Sequence, residues 1–128
     1  MRFLLDTCAF LWISEDSQKV NRSVRDLYLD QDNDVYLSTA SAWEIGIKFS
    51  SGKLSLPERP DVYVPKMRLR SRVETLEIGE ESALLAGKLP NIHADPFDRM
   101  LVAQAIVHDL IILTPDPKIE AYAVRVLW

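Results

Sequence analysis

The sequence predicts an α/β fold in which helices cover both faces of a parallel sheet. Three observations predict it. Short apolar runs alternate with helical segments in βαβα order along the chain. One of them, Leu110-Ile111-Ile112-Leu113-Thr114, is apolar almost throughout, as a strand buried on both faces must be. The 128 residues match one domain, and no repeat, low-complexity tract or long linker divides them.

Taken in order, Arg2 to Asp6 reads as a short apolar strand ending on an acid. Ala9 to Ser14 starts a helix, and Ser17 leads into a second that runs to about Gln31. Asp32-Asn33-Asp34 is a turn cluster, followed by a strand over Val35–Ser38. Ser41 opens a helix that carries Trp43, Ile45, Ile47 and Phe49 and stops at Gly52. Leu54–Pro65 is interrupted by prolines and reads as a connection, and Lys66–Arg72 as the basic end of a helix. Val73–Ile78 is the third strand and Glu80–Lys88 an alanine- and leucine-rich helix. After a loop, Pro96–His108 is a strongly apolar helix leading into the strand at Leu110. A short helix follows Asp116, and Val124–Leu127 is a candidate last strand.

Composition narrows the function classes. The hydrophobic fraction of 48% is ordinary for a chain with one core. No run reaches the roughly 18 apolar residues of a membrane span. The N-terminus meets Asp6 after three apolar residues, too short for a signal peptide, so a cytoplasmic protein is expected. The single cysteine, Cys8, excludes an internal disulfide and a thiolate metal cage and reads as a small hydrophobe. A net charge of −4 argues against nucleic-acid binding through a broadly basic surface. Setting four site carboxylates aside brings that charge to zero.

In parallel α/β sheets, ligands bind outside the carboxyl ends of the strands. Asp6 and Asp116 follow strands there, and Glu44 and Asp98 sit in the first turns of helices that follow loops. Four acids at one end would hold a divalent cation, since hard cations prefer carboxylate oxygen. Each acid also has an ordinary structural reading. Ser41-Ala42-Trp43-Glu44 matches a capping box. Asp95-Pro96-Phe97-Asp98 matches a cap with proline at the first helical position, and Asp116-Pro117 repeats the pattern. Glu44 and Lys48 form a routine surface pair. Capping does not explain acids set against runs as apolar as Phe3-Leu4-Leu5 and Ile111-Ile112-Leu113.

The motifs taken together carry more. Asp6-Thr7, then Ser38-Thr39-Ala40-Ser41-Ala42-Trp43-Glu44-Ile45, then His93-Ala94-Asp95-Pro96-Phe97-Asp98-Arg99-Met100-Leu101-Val102-Ala103-Gln104-Ala105, then Leu113-Thr114-Pro115-Asp116 resemble a PIN domain. The closest resemblance is to the VapC-type toxin branch with the DPFDR motif, in order over nearly the whole chain. The resemblance implies one PIN domain over residues 1–128, with a five-stranded parallel sheet. It implies an endoribonuclease that uses Mg²⁺ or Mn²⁺, acts as the toxin of a toxin–antitoxin pair and hydrolyses RNA phosphodiester bonds. Asp6, Glu44, Asp98 and Asp116 fall on the family's four acidic positions. Asp6 and Asp98 are the principal metal ligands so implied, Glu44 binds metal directly or through water, and Asp116 completes the set. Thr7 and Thr114 are candidates to hydrogen-bond these carboxylates. An antitoxin that inserts a basic residue into the crevice and a homodimer are the implied partners, with no membrane. The chain departs from the branch at Cys8, where relatives often carry histidine.

Smaller expectations attach to other residues. Arg99 is a candidate phosphate contact, and Lys66, Arg68, Arg70 and Arg72 form the only basic run. His93, a lone loop histidine, reads as solvated, and Trp12, Trp43 and Trp128 as core or interface. The alternative function is a catalytically silent PIN-like module that binds RNA or protein; loss of an acid would favour it, and none is lost. A phosphoacceptor receiver domain would need an acidic pair after the first strand and a lysine after the last long one, and the chain has neither. A phosphatase with an Asp-x-Asp start fails at Cys8.

Overall fold

The computed structural model describes residues 1–128. Its strands are β1 (Arg2–Leu5), β2 (Asp34–Ser38), β3 (Glu74–Leu76), β4 (Ile111–Leu113) and β5 (Val126–Leu127). Its helices are α1 (Thr7–Ser14), α2 (Arg22–Leu29), α3 (Thr39–Ser50), α4 (Pro60–Arg70), α5 (Glu80–Lys88), α6 (Pro96–His108) and α7 (Pro117–Glu120). All five strands pair in parallel, as the sequence predicts, and the sheet runs in the order β3-β2-β1-β4-β5. No helix is long and apolar enough to cross a membrane.

Alternation along β1 explains the two-sided core. Successive side chains of a strand point to opposite faces. Phe3 and Leu5 join Val35, Leu37, Ile111 and Leu113 on the face covered by α1, α3 and α4. Leu4 and Ile112 point the other way and pack under Leu101, Val102 and Ala105 of α6. All of β1 beyond Arg2 is fully buried, so both faces must be apolar.

Register sets the site. Leu5 pairs with both Leu37 and Leu113, so β2, β1 and β4 end level with one another. The residues that leave these strands therefore emerge along one edge.

Several boundaries differ from the sequence reading, each for a local reason. Helix α1 begins at Thr7 because Asp6 caps it. Helix α2 begins at Arg22, capped by Asn21, whose Oδ1 accepts from the Val24 amide at 2.9 Å. Helix α3 starts three residues earlier than expected, directly off β2, with Ser38 as its cap. Helix α4 takes up half of the expected connection. Pro60 stands at its first position, where a missing N–H is harmless, and exposed Pro65 lies within it. Strands β3 and β5 are shorter than read, since edge strands have few buried side chains to hold them.

Candidate active site

Asp6 leaves β1 at the level edge and is only 4% exposed. Its Oδ1 accepts from the Ala9 amide at 2.7 Å, capping α1. Its Oδ2 accepts from the Thr114 hydroxyl at 2.5 Å. The same hydroxyl oxygen accepts from the Asp116 amide at 3.0 Å. Thr114 thus ties the ends of β1 and β4 together through the acids that follow them.

Glu44 corrects the sequence reading. With Ser38 as the cap, Glu44 is the sixth residue of α3, and Ser41 is buried inside the helix. No capping box forms. The carboxylate is 4% exposed, and its Oε1 accepts from the Thr7 hydroxyl at 2.6 Å. That hydroxyl also lies 2.9 Å from Ser41 Oγ. Oε2 accepts from Lys48 Nζ at 2.6 Å, so the pair is half-buried rather than a surface pair.

Asp98 and Asp116 arrive on helix starts. Asp95 caps α6, accepting from the Phe97 amide at 2.8 Å and the Asp98 amide at 3.2 Å. Asp98 is the third residue of that helix, as expected. Asp116 caps α7 through Oδ1, which accepts from the Lys118 amide at 2.9 Å.

All four carboxylates line one cavity of about 400 Å³, with Asp95, Lys48 and Lys53 among the other charged residues around it. Burial pushes the Asp6 carboxyl up to about 6, against the hydrogen bonds from Thr114 and Ala9, with Asp116 and Glu44 adding to the rise. Burial also pushes Asp98 up to about 7, with Asp95 and Glu44 adding and His93 opposing. Lys48 is raised chiefly by its hydrogen bond to Glu44. Carboxylates buried together and short of cations resist ionising. A hard divalent cation held among their oxygens relieves that burden, so this donor set fits Mg²⁺ or Mn²⁺.

The PIN domain family model matches residues 3–125. The chain belongs to the PIN domain family. This PIN domain is similar in fold to solved toxin–antitoxin structures. For VapBC2 from Rickettsia felis, bound to a promoter DNA fragment, the TM-score is 0.74 at 14% identity, covering 100% of this chain and 99% of that one. DNA-bound VapBC from Salmonella typhimurium gives a TM-score of 0.69 at 18% identity, covering 99% and 97%. FitAcB from Neisseria gonorrhoeae gives 0.61 at 21% identity, covering 98% and 96%. No curated protein sequence matches significantly.

Other expectations for this PIN domain change. His93 is not a solvated loop residue. Its side chain is 10% exposed, and Nε2 lies 2.9 Å from Asp98 Oδ2 and 3.2 Å from Asp116 Oδ2. The only sequence signal is its place two residues before the cap of α6; Asp116, 23 residues on, comes near only through folding.

Arg99 is not free to contact phosphate. Nη1 donates to Pro90 O at 3.0 Å, and Nη2 donates to Ala86 O and Leu89 O at 2.9 Å each. It clamps the end of α5 and the loop after it. Arg99→Lys is expected to lower stability by about 2 kcal/mol, because one ammonium cannot serve these carbonyls. A urea midpoint equal to that of the unchanged protein would refute the clamp.

No residue of the basic run lines the cavity that holds the acids. Lys66 pairs with Glu58 at 2.7 Å, and Arg68 donates to Leu37 O and Glu74 O. Arg70 and Arg72 precede β3, at the amino edge of the sheet, and line a different cavity. Trp12 and Trp128 pack together at 5.7 Å beside the core. Trp43 is 65% exposed instead, edge-on to Phe97 at 5.3 Å.

Proposed function

We propose that this PIN domain is a divalent-metal-dependent endoribonuclease and the toxin of a toxin–antitoxin pair. The observation that carries this reading is the cavity where Asp6, Glu44, Asp98 and Asp116 meet, delivered by four separate parts of a PIN chain.

Asp6 and Asp98 hold the metal, with Glu44 and Asp116 completing the set. Bound Mg²⁺ or Mn²⁺ supplies an activated nucleophile at neutral pH and neutralises phosphate charge. Thr7 and Thr114 fix the rotamers of Glu44 and Asp6, so these acids need not reorganise when substrate arrives. Lys48 and Lys53 are the two cations lining the cavity and draw the RNA backbone toward it. Lys53 is well placed for this. Gly52, at φ +77°, turns the chain after α3, and the Lys53 amide donates to Lys48 O at 2.9 Å.

The toxin role draws support from fold neighbours described as VapBC and as a toxin–antitoxin complex from Klebsiella pneumoniae. An antitoxin with a basic residue would satisfy the acidic cavity by charge. Leu84 and Ile106, exposed on α5 and α6, offer apolar surface to a second copy in a homodimer. The reading places the protein in the cytoplasm with its RNA substrate.

The test is cleavage of structured and unstructured RNA by purified protein, with Mg²⁺ or Mn²⁺ and with EDTA. Cleavage is expected with metal, none with EDTA, and at least ~100-fold less from Asp98→Asn. Undiminished cleavage in EDTA, or by the variant, would sink the mechanism.

A further inference from the structure

We propose that His93 is a positioning residue whose Nε2–H bridges the carboxylates of Asp98 and Asp116 and holds both turned into the cavity. This rests on the reading of the acids as a metal site.

The ring is fixed from behind. Its Nδ1 accepts from the Asp95 amide at 3.3 Å. A nitrogen that accepts carries a lone pair, so the proton of the neutral ring sits on Nε2. That nitrogen faces Asp98 Oδ2 at 2.9 Å and Asp116 Oδ2 at 3.2 Å. The two acids begin different helices, and His93 links them directly.

The loop is fixed as well. The His93 amide donates to the Tyr122 hydroxyl at 2.9 Å, and that hydroxyl donates to Pro90 O at 3.0 Å. Arg99 holds the same Pro90 carbonyl.

His93, Asp98 and Asp116 also lie close enough together to suggest a three-ligand metal site. The tautomer opposes that role for the imidazole. Ligation through Nε2 would move the proton to Nδ1, where it would confront the Asp95 N–H. The cation is therefore left to oxygen donors, which suits Mg²⁺ and Mn²⁺ rather than nitrogen-seeking metals. Holding ligands through a hydrogen-bond partner of this kind is worth about 10–100-fold in metal affinity.

The experiment is calorimetric titration of Mn²⁺ into metal-free protein, with ¹⁵N-imidazole NMR during Mg²⁺ addition. His93→Ala and His93→Asn are expected to weaken Mn²⁺ binding about 10–100-fold. Asparagine can still accept from Asp95 but falls short of the acids, which guards against a variant that simply fails to fold. His93→Gln, with an amide donor near the position of Nε2, is expected to recover most of the affinity. The NMR spectrum is expected to show the proton on Nε2 before and after Mg²⁺. Mn²⁺ affinity unchanged in both Ala and Asn variants, or loss of the Nε2 proton on metal binding, would overturn the role of His93 alone. Absence of Mn²⁺ binding by the unsubstituted protein would overturn the metal site and His93's role with it.

Discussion

Asp6→Asn is expected to reduce RNA cleavage by at least about 10³-fold, equivalent to ~4 kcal/mol of lost transition-state stabilisation. The same change is expected to raise the melting temperature of the metal-free protein at neutral pH. The two effects have one cause. Asp6 is almost fully buried, and burial is the main reason its carboxyl is raised to about 6. Its ionised form is therefore held at a cost that the bonds from Thr114 and Ala9 offset only in part and a cation would offset further. Asparagine keeps a cap oxygen for the Ala9 amide, so α1 should still start at Thr7. On the other side, Thr114 can rotate its hydroxyl to accept from the new amide. Cleavage and melting temperature measured on the same preparation separate the outcomes. Activity within tenfold of the unchanged protein would remove Asp6 from the metal site. A lowered melting temperature would show that Asp6 serves mainly as a cap.

The elements legible in the sequence are those whose burial leaves no choice of residue. Phe3-Leu4-Leu5 and Ile111-Ile112-Leu113 are buried on both faces, so their strands show as unbroken apolar runs. Strand β3 exposes Glu74 and Thr75, and its ends were correspondingly harder to read. Helix α4 was obscured by Pro60 and Pro65, although the first suits a helix start and the second lies on the exposed side. At the site, capping logic placed Asp95, Asp98 and Asp116 correctly and misplaced Glu44. The spacing of Ser41 and Glu44 fits a capping box, but β2 passes into α3 without a loop, and the cap falls on Ser38. Asp6 shows the opposite case, a cap where only a strand end was expected. The links that organise the cavity, Thr7 with Glu44, Thr114 with Asp6 and His93 with Asp116, span 37, 108 and 23 residues. Their places beside Asp6 and Asp116 make Thr7 and Thr114 candidates, but which carboxylate each one bonds, and the link from His93, follow only from how the fold brings these segments together.

The buried acids also predict an unusual response to pH. Asp6 and Asp98 are raised from 3.8 to about 6 and about 7 in the folded protein. Between 3.8 and those values the folded state binds more protons than the unfolded one. Stability must then fall as pH rises through this window and level off above about 7. The loss from Asp6 alone is about 3 kcal/mol, from a shift of roughly two units. A carboxylate held by a permanent cation would give the reverse slope. Metal changes the sign, because protons and divalent cations compete for the same oxygens. Millimolar Mg²⁺ should barely move the melting temperature at pH 5 and should raise it strongly at pH 8, by about 3 kcal/mol of added stability at a hundredfold excess over Kd. Calorimetric melting from pH 5 to 8, in EDTA and in Mg²⁺, measures both curves. Metal-free stability that stays flat, or an equal metal shift at both ends, would show that the carboxylates are not buried without compensation. In Asp6→Asn the metal-free curve should flatten while the part due to Asp98 persists, which assigns the slope to these acids rather than to the protein's net charge.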